Sequence, residues 1–190
     1  MEPETLNLPV LALRGLTVFP HTNLTFDVER HISMKALEVA METGQEIFLV
    51  TQREINVEKP TEQDLYAIGT ISRVTQILRL GQNSLRVMVE GGRRARLKRL
   101  WQLEPYLQGQ VETAEEPESV NHGPKTEALL RQTWSLFQDY AQLAGNVAEE
   151  VIAAALDCQE PGDLADLIAQ NIALRYEDKQ AVLEELSPMV

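Results

Sequence analysis

The stretch Ile71–Glu90, ISRVTQILRLGQNSLRVMVE, decides how the first part of the chain folds. Its two ends, 71–80 and 85–90, are rich in Ile, Val and Leu, which fit extended backbone well. Between them lies Gly81–Ser84, GQNS, whose residues are typical of turns. Turn formers between two strand patterns predict a β-hairpin, so we expect two antiparallel strands joined at 81–84.

Strand patterns continue on both sides of this hairpin. Residues 24–28, LTFDV, alternate strictly between apolar and polar, as in a half-buried strand. Residues 8–13 place positions 8, 10 and 12 on one face of an earlier strand and positions 11 and 13 on the other. The run 47–50, IFLV, predicts a strand covered on both faces. Leu107 and Val111 mark a further strand.

One helix interrupts these strands. It is predicted from Ile32 to about Gly44, because glycine readily ends a helix. The apolar residues that recur at helical spacing within it are Ala36, Leu37, Ala40 and Met41. A mixed sheet curled around this helix would bury all of these apolar faces, so residues 1–115 are predicted to form a β-rich unit.

The composition changes between Glu112 and Pro124, where acidic residues, Pro and Gly dominate, and residues 116–124 are predicted to be an exposed linker. Beyond it the apolar period becomes 3.6, so residues 125–190 are predicted to form a compact bundle of about four helices. The predicted helical segments are Leu130–Ala144 ended by Gly145, Val147–Asp157 opened by the N-cap pair Asn146 and Glu149, Leu164–Ile172 after Pro161–Gly162, and Val182–Leu186 opening near Tyr176–Asp178.

Charge and hydropathy limit the partners. With 190 residues, 44% of them hydrophobic, the chain can build one ordinary core or two small ones. No apolar run approaches the roughly 18 residues that span a bilayer, and the N-terminus lacks a signal-peptide pattern, which predicts a cytoplasmic protein without membrane contact. A net charge of −12 repels phosphate, so nucleic acid is not an expected partner.

Motifs for catalysis and metal binding are not found in the sequence. Cys158 is the only cysteine, and His21, His31 and His122 lack the spacing that places two metal ligands on one helix face. Phosphate-binding glycine loops, G-x-S-x-G elbows and H-E-x-x-H helices do not occur. Serine, histidine and aspartate all occur, so composition leaves a triad open, although nothing places three together. We predict no catalytic residue, metal or cofactor for this chain.

Positive charge is concentrated in residues 93–99, RRARLKR, directly after Gly91–Gly92. In a strand, positions 94, 96 and 98 would share one face, with Ala95 and Leu97 pointing inward. The alternation favours a solvated strand face over a nucleic-acid patch. The paired glycines are interpreted as a bulge or bend between strands.

Several segments, in the same order and with matching gaps, resemble the N-terminal domain of Lon proteases over almost the whole chain. The most recognisable is Leu85–Gly91, LRVMVEG, which is similar to the family's RVLVEG strand. The other similar segments are Leu8–Gly15 with Val18–Pro20, Lys35–Met41, Ile47–Arg53, Leu65–Thr70, Glu160–Asp166 and Asp178–Glu184.

The resemblance implies an α+β fold, with a PUA-like mixed sheet or pseudo-barrel holding one helix, followed by a compact helical bundle. It implies a non-catalytic domain that captures unfolded, damaged or degron-bearing proteins for AAA+ ATPase and Ser-Lys peptidase modules outside this chain. ATP and Mg²⁺ belong to the ATPase module, and the native chain is expected to continue beyond Val190. The resemblance also implies self-association within a homohexameric parent.

Capture of many sequences requires exposed, adaptable apolar surface. The candidate contact residues are Leu16, Val18, Phe19 and Pro20 in a loop, and Leu78, Leu80, Leu85 and Met88 at the hairpin end. Each of these side chains could instead be core, and for the loop 16–20 the core interpretation is favoured over contact. Two other functions also stay open, namely a free-standing Lon-like peptide-binding or adaptor module and an independent enzyme.

Overall fold

The computed structural model describes residues 3–81, 83–114 and 123–187. The chain divides into two compact units, Met1–Glu115 and Glu116–Val190. Of the predicted linker 116–124, residues 116–122 lie outside the described residues. Pro124 is already helical, at the first position of a helix where its missing N–H costs no hydrogen bond.

The first unit consists of six strands and one α-helix. A short 3₁₀ turn, Glu62–Asp64, precedes the fourth strand. The elements are β1 (Thr5–Leu13), β2 (Asn23–Val28), α1 (His31–Glu42), β3 (Glu46–Thr51), β4 (Ile68–Arg79), β5 (Leu85–Gln102) and β6 (Leu107–Thr113). The predicted hairpin is therefore formed by β4 and β5, with its turn where the sequence places it.

Five of the six strands close on themselves. β5 lies beside β4, followed by β3, β1 and β6, and β6 pairs again with β5. β1 and β3 are parallel and the other pairs are antiparallel, so the sheet is mixed. β2 pairs with the first half of β5 and stands at the open end of the strand order. This arrangement is the predicted α+β pseudo-barrel.

The length of β5 is the main difference from the predicted strands. It continues through Gly91 and Gly92 to Gln102 instead of ending at Glu90. Its register with β4 shifts at this point, because Ser72 pairs with Gly91 and Ile71 with Arg93, which leaves Gly92 as an extra residue. The predicted bulge is confirmed, but it lies within one strand. A bulge bends a strand and increases its twist, so β5 can pair with β2 in its first half and with β6 in its second half.

Apolar clusters lie on both faces of β1. Leu11 and Leu13 enter a cluster with Leu37 of α1, while Val10 enters a second cluster with Phe48 of β3. All of these side chains are almost completely buried. The two faces predicted for residues 8–13 are therefore confirmed. Complete burial of side chains of this size stabilises the fold by about 1.5–3 kcal/mol each.

The second unit consists of four helices around a separate apolar cluster. They are α2 (Pro124–Ala144), α3 (Glu149–Asp157), α4 (Pro161–Asn171) and α5 (Tyr176–Glu184). Leu130, Phe137, Ala155 and Leu164 form the buried centre of this cluster. Gly145 ends α2 with a left-handed φ of 66°, as the sequence predicted.

The start of α3 was predicted two residues too early. Its N-cap is Ala148 rather than Asn146, and no side chain caps it. Val147 is outside the helix and packs against the apolar cluster of the second unit. Glu149 and Glu150 occupy the first turn, where the helix dipole stabilises carboxylates. The end of the fourth predicted segment was also too late, since α5 stops at Glu184 and Leu186 follows it.

Candidate binding surface

The apolar loop after β1 is mostly core. Val18 is 2% exposed and Phe19 is 0% exposed, and both were candidate contact residues. Pro20 is also buried, and Leu16 is half-buried against the cluster around α1. Of the four candidates in this loop, only Leu16 is partly accessible.

Hydroxyl groups hold this loop in place. The hydroxyl of Thr70 donates a hydrogen bond of 2.6 Å to the Val18 carbonyl oxygen. The hydroxyl of Thr51 donates one of 2.9 Å to the Leu16 carbonyl oxygen. Such bonds satisfy backbone oxygens that a buried loop would otherwise leave unpaired. The loop is therefore a fixed part of the barrel.

The hairpin end is different, because three of its four candidates are exposed. Leu78, Leu80 and Met88 are 45%, 51% and 39% exposed, while Leu85 is only 5% exposed. Alternation along β5 explains why Leu85 is buried and Met88 is exposed, since the odd-numbered residues 85, 87 and 89 point into the core and Met88 points outward. We call Leu78, Leu80 and Met88 the hairpin patch.

An ion pair lies beside the hairpin patch. The guanidinium of Arg86 donates two hydrogen bonds to the Asp27 carboxylate, at 2.7 and 2.8 Å. This hydrogen bonding lowers the pKa of Asp27 below its usual range and raises that of Arg86. Leu78 pairs with Arg86 from the other side, on β4. The pair ties β2 to β5 and sets a charged boundary beside the apolar side chains.

A second polar group fixes the region at the ends of β1 and β3. The Arg30 guanidinium donates a 2.7 Å hydrogen bond to the side-chain oxygen of Gln52 and another to the Ala12 carbonyl. Gln52 in turn donates to the backbone oxygens of Glu54 and Val57. Burial lowers the pKa of Arg30 to about 10. No sequence motif signals this network, because its members come from three separate segments, at Ala12, Arg30 and Gln52–Val57.

Two of the five basic residues in the run on β5 form ion pairs with acidic neighbours in the described part of the chain. Ala95 is fully buried and Leu97 is partly buried, as predicted from the alternation. The ammonium group of Lys98 lies 2.6 Å from the Glu112 carboxylate on β6. Arg93 lies 2.9 Å from the Glu4 carboxylate. These pairs give the positive charge a structural role along the barrel wall.

Further exposed apolar residues were not among the candidates. In the first unit these are Met41, Ile55, Trp101 and Leu103, between 38% and 48% exposed. In the second unit Leu129, Leu136 and Leu143 recur every seven residues on α2 and are 42%, 61% and 90% exposed. Their spacing was available in the sequence, because they are the leucines that fall off the buried stripe through Leu130 and Phe137.

The groups that support catalysis elsewhere do not converge here. Within the described ranges, no three His, Cys, Asp or Glu side chains come together in a way that could hold a metal ion. Burial raises the pKa of the Cys158 thiol, and the charge of Asp163 adds to this, so the reactive thiolate is disfavoured. None of the helices described is both long and apolar enough to cross a membrane.

The described residues of the first unit form a closed, mixed barrel that exposes the hairpin patch. The family model of the ATP-dependent protease La (LON) substrate-binding domain matches residues 7–190, and the chain belongs to this family. The resemblance inferred from the ordered segments is thereby confirmed. The chain is the substrate-binding region and not the catalytic protease domain.

Relatives and solved structures agree with this assignment. The Lon protease of Desulforamulus reducens is 40% identical over 98% of this chain, and Lon protease 1 of Bacillus subtilis is 36% identical over 94%. The chain spans only 23% of the length of each. The N-terminal domain of a Mycobacterium avium complex Lon protease has the same fold, with a TM-score of 0.77 at 20% identity, covering 97% of this chain and 92% of that one. The Lon N-terminal domain protein from Xanthomonas campestris has a TM-score of 0.62 at 15% identity, covering 96% and 92%.

Proposed function

We propose that this domain captures unfolded, damaged or degron-bearing proteins for the ATPase and peptidase modules of a Lon protease. The observation that carries the proposal is the hairpin patch, which exposes three large apolar side chains on a strand pair fixed by the barrel. Unfolded proteins expose the apolar side chains that folded proteins bury. Methionine adapts to ligands of different shape, which suits a surface that must hold many sequences.

The candidate residues take different parts in this proposal. The hairpin patch contacts the substrate, and the half-buried Leu16 adds a contact from the loop. Val18, Phe19, Pro20 and Leu85 are buried and support the surface from within. We assign substrate contact to the exposed residues because a substrate can touch only side chains that are accessible in the free domain.

The rest of the proposed function lies outside this chain. We assign ATP, Mg²⁺ and peptide-bond hydrolysis to other parts of a homohexameric cytoplasmic parent, because the chain spans 23% of the relatives named Lon protease. We assign protein substrates to this domain because its family is described as the substrate-binding domain of a protease. A free-standing adaptor is not favoured by any of these observations.

The test compares an unfolded ligand with its folded counterpart. Reduced, carboxymethylated α-lactalbumin and native α-lactalbumin, each fluorescently labelled, are titrated with the domain, and anisotropy reports binding. We expect the unfolded form to bind at least about tenfold more tightly, because burial of each exposed leucine contributes on the order of 1 kcal/mol. Equal affinity for both forms would remove substrate capture from this domain.

Variants then locate the contact. Leu78→Ser, Leu80→Ser and Met88→Ser together should weaken binding of the unfolded form about tenfold or more, with little change in melting temperature because the three side chains are exposed. Leu136→Ser with Leu143→Ser is the matched control, since these leucines are at least as exposed but belong to the second unit. An equal loss in the control would assign the contact elsewhere.

A further inference from the structure

β2 has one edge that no other strand covers among the residues that the structure describes. It stands at the end of the strand order and pairs only with β5, while the other five strands close into the barrel. Its six residues, Asn23–Val28, are therefore a free sheet edge in an otherwise closed structure. A free edge presents a row of backbone donors and acceptors that can pair with another extended chain.

The hydrogen bonds at the start of β2 show which residues face outward. His21 N–H donates to the Gly91 carbonyl, and Gly91 N–H donates to the Thr22 carbonyl, both at 2.8 Å. Hydrogen-bonded pairs alternate along an antiparallel ladder, and the register pairs Leu24 with Val89. The backbone groups of residues 24, 26 and 28 therefore point to β5, and those of residues 23, 25 and 27 point away from it.

The residues that carry these outward-facing groups lie at the surface. Asn23, Thr25 and Asp27 are exposed, and within the described part of the chain no hydrogen bond is made by their outward N–H or carbonyl groups. Asp27 uses its carboxylate to bind Arg86, which leaves its backbone available. Proteins usually protect an edge with lysine, proline or a bulge within the strand. Asn23–Val28 contains no lysine or proline, its register with β5 is unbroken, and its one charged side chain, Asp27, is paired with Arg86.

The inner face of β2 favours apolar side chains in an added strand. Leu24 and Phe26 point inward and pack against the cluster around α1, but both are only partly buried. A further strand would lie about 4.8 Å beyond β2 and place alternate side chains beside them. On the outer face Thr25 lies opposite Met88 of the hairpin patch. The remaining side chains of an added strand would therefore extend the same outer surface.

We propose that the free edge of β2 binds an extended segment of an unfolded polypeptide as an additional antiparallel strand. The ligand supplies backbone hydrogen bonds to Asn23, Thr25 and Asp27, and apolar side chains at every second position pack beside Leu24 and Phe26. Because the backbone is common to all sequences, this mode tolerates many ligands. A folded protein has already paired its backbone groups and so cannot add a strand to β2. The inference rests on the proposed capture of unfolded proteins.

Amide hydrogen exchange, measured by NMR on the intact chain, tests the proposal. Reduced, carboxymethylated α-lactalbumin is the ligand. Without it, the amides of residues 23, 25 and 27 should exchange rapidly and those of residues 24, 26 and 28 slowly. With it, we expect the first set to slow by about tenfold or more, as for new backbone hydrogen bonds. This alternating pattern is specific to strand addition.

A proline variant gives an independent readout. Thr25→Pro removes an outward N–H and leaves the ladder to β5 intact, since proline is tolerated at an edge position of this kind. It should weaken binding of the unfolded ligand about tenfold, while Thr25→Val, which keeps the N–H, should bind like the parent domain.

Three results would overturn the proposal. If the ligand binds and the amides of residues 23, 25 and 27 stay unprotected, capture stands and the strand mode is wrong. If no binding occurs, both the proposed function and the strand mode fail. If these amides are protected without ligand, to a degree that rises with domain concentration, the edge pairs two copies of this chain instead.

Discussion

Replacing Phe19 by alanine tests whether the apolar loop is core or contact surface. Phe19 is 0% exposed, in agreement with the core interpretation that was favoured for its loop. Its backbone is fixed as well, because the Thr22 hydroxyl donates a 2.6 Å hydrogen bond to the Phe19 carbonyl oxygen. The cavity left by Phe19→Ala therefore cannot collapse easily, and the full cost of the lost contacts should appear in the stability.

The expected loss is large. Truncation of a fully buried phenylalanine costs about 3–5 kcal/mol. In a domain of about 100 residues each kcal/mol shifts the melting temperature by roughly 4–8 °C, so a fall of roughly 15–30 °C is expected. The control is Leu78→Ala, which removes a side chain that is 45% exposed and should cost less than about 1 kcal/mol.

Fluorescence can report the first unit alone. The chain has two tryptophans, Trp101 in β5 and Trp134 in α2, so a Trp134→Phe background leaves Trp101 as the only reporter. Thermal unfolding of Phe19→Ala and Leu78→Ala is compared in that background. A shift below about 5 °C for Phe19→Ala, or equal shifts for both variants, would refute the burial argument.

Three other variants or measurements test separate features. Gly91→Ala would place a Cβ 2.0 Å from a loop carbonyl oxygen, so urea unfolding should show a loss of about 2–3 kcal/mol, whereas Gly81→Ala, with nothing within 4 Å, should show almost none. Cys158 should react slowly with iodoacetamide at pH 8 in the native state and rapidly in urea, because burial raises its pKa, and equal rates would contradict this. An NMR titration should give Asp27 a pKa below the usual carboxyl range, and Arg86→Gln should return the pKa of Asp27 to that range. The stabilisation from this pair is present above the ordinary carboxyl pKa and is lost as pH falls through the lowered value.

The strands and helices with strong periodicity were predictable from the sequence. Leu24–Val28 alternates because one face of β2 packs on the core, and the hairpin turn at 81–84 follows from its residue types. The end of α2 at Gly145 was predictable for the same kind of local reason, since glycine adopts a left-handed φ without steric cost.

Features that depend on distant segments were not predictable. The length of β5 is set by pairing with β6, and the sequence does not reveal that Gly92 can bulge without ending the strand. Residue type alone could not establish that Val18 and Phe19 are buried, because an apolar side chain in a loop can face either a ligand or the core. Exposure at Met88 follows from strand alternation only after the register of β5 is known.

Closure of the barrel also constrains how the chain folds during synthesis. Thr5 at the start of β1 pairs with Glu112 near the end of β6, so the two strands that close the barrel lie at opposite ends of the first unit. Contacts of such large sequence separation slow folding, because a long loop must be ordered before they form. While a ribosome has yet to release β6, β1 lacks its antiparallel partner, and the first half of a newly made chain stays open to chaperones and to aggregation. The first unit therefore remains incompletely folded until about residue 113 has emerged.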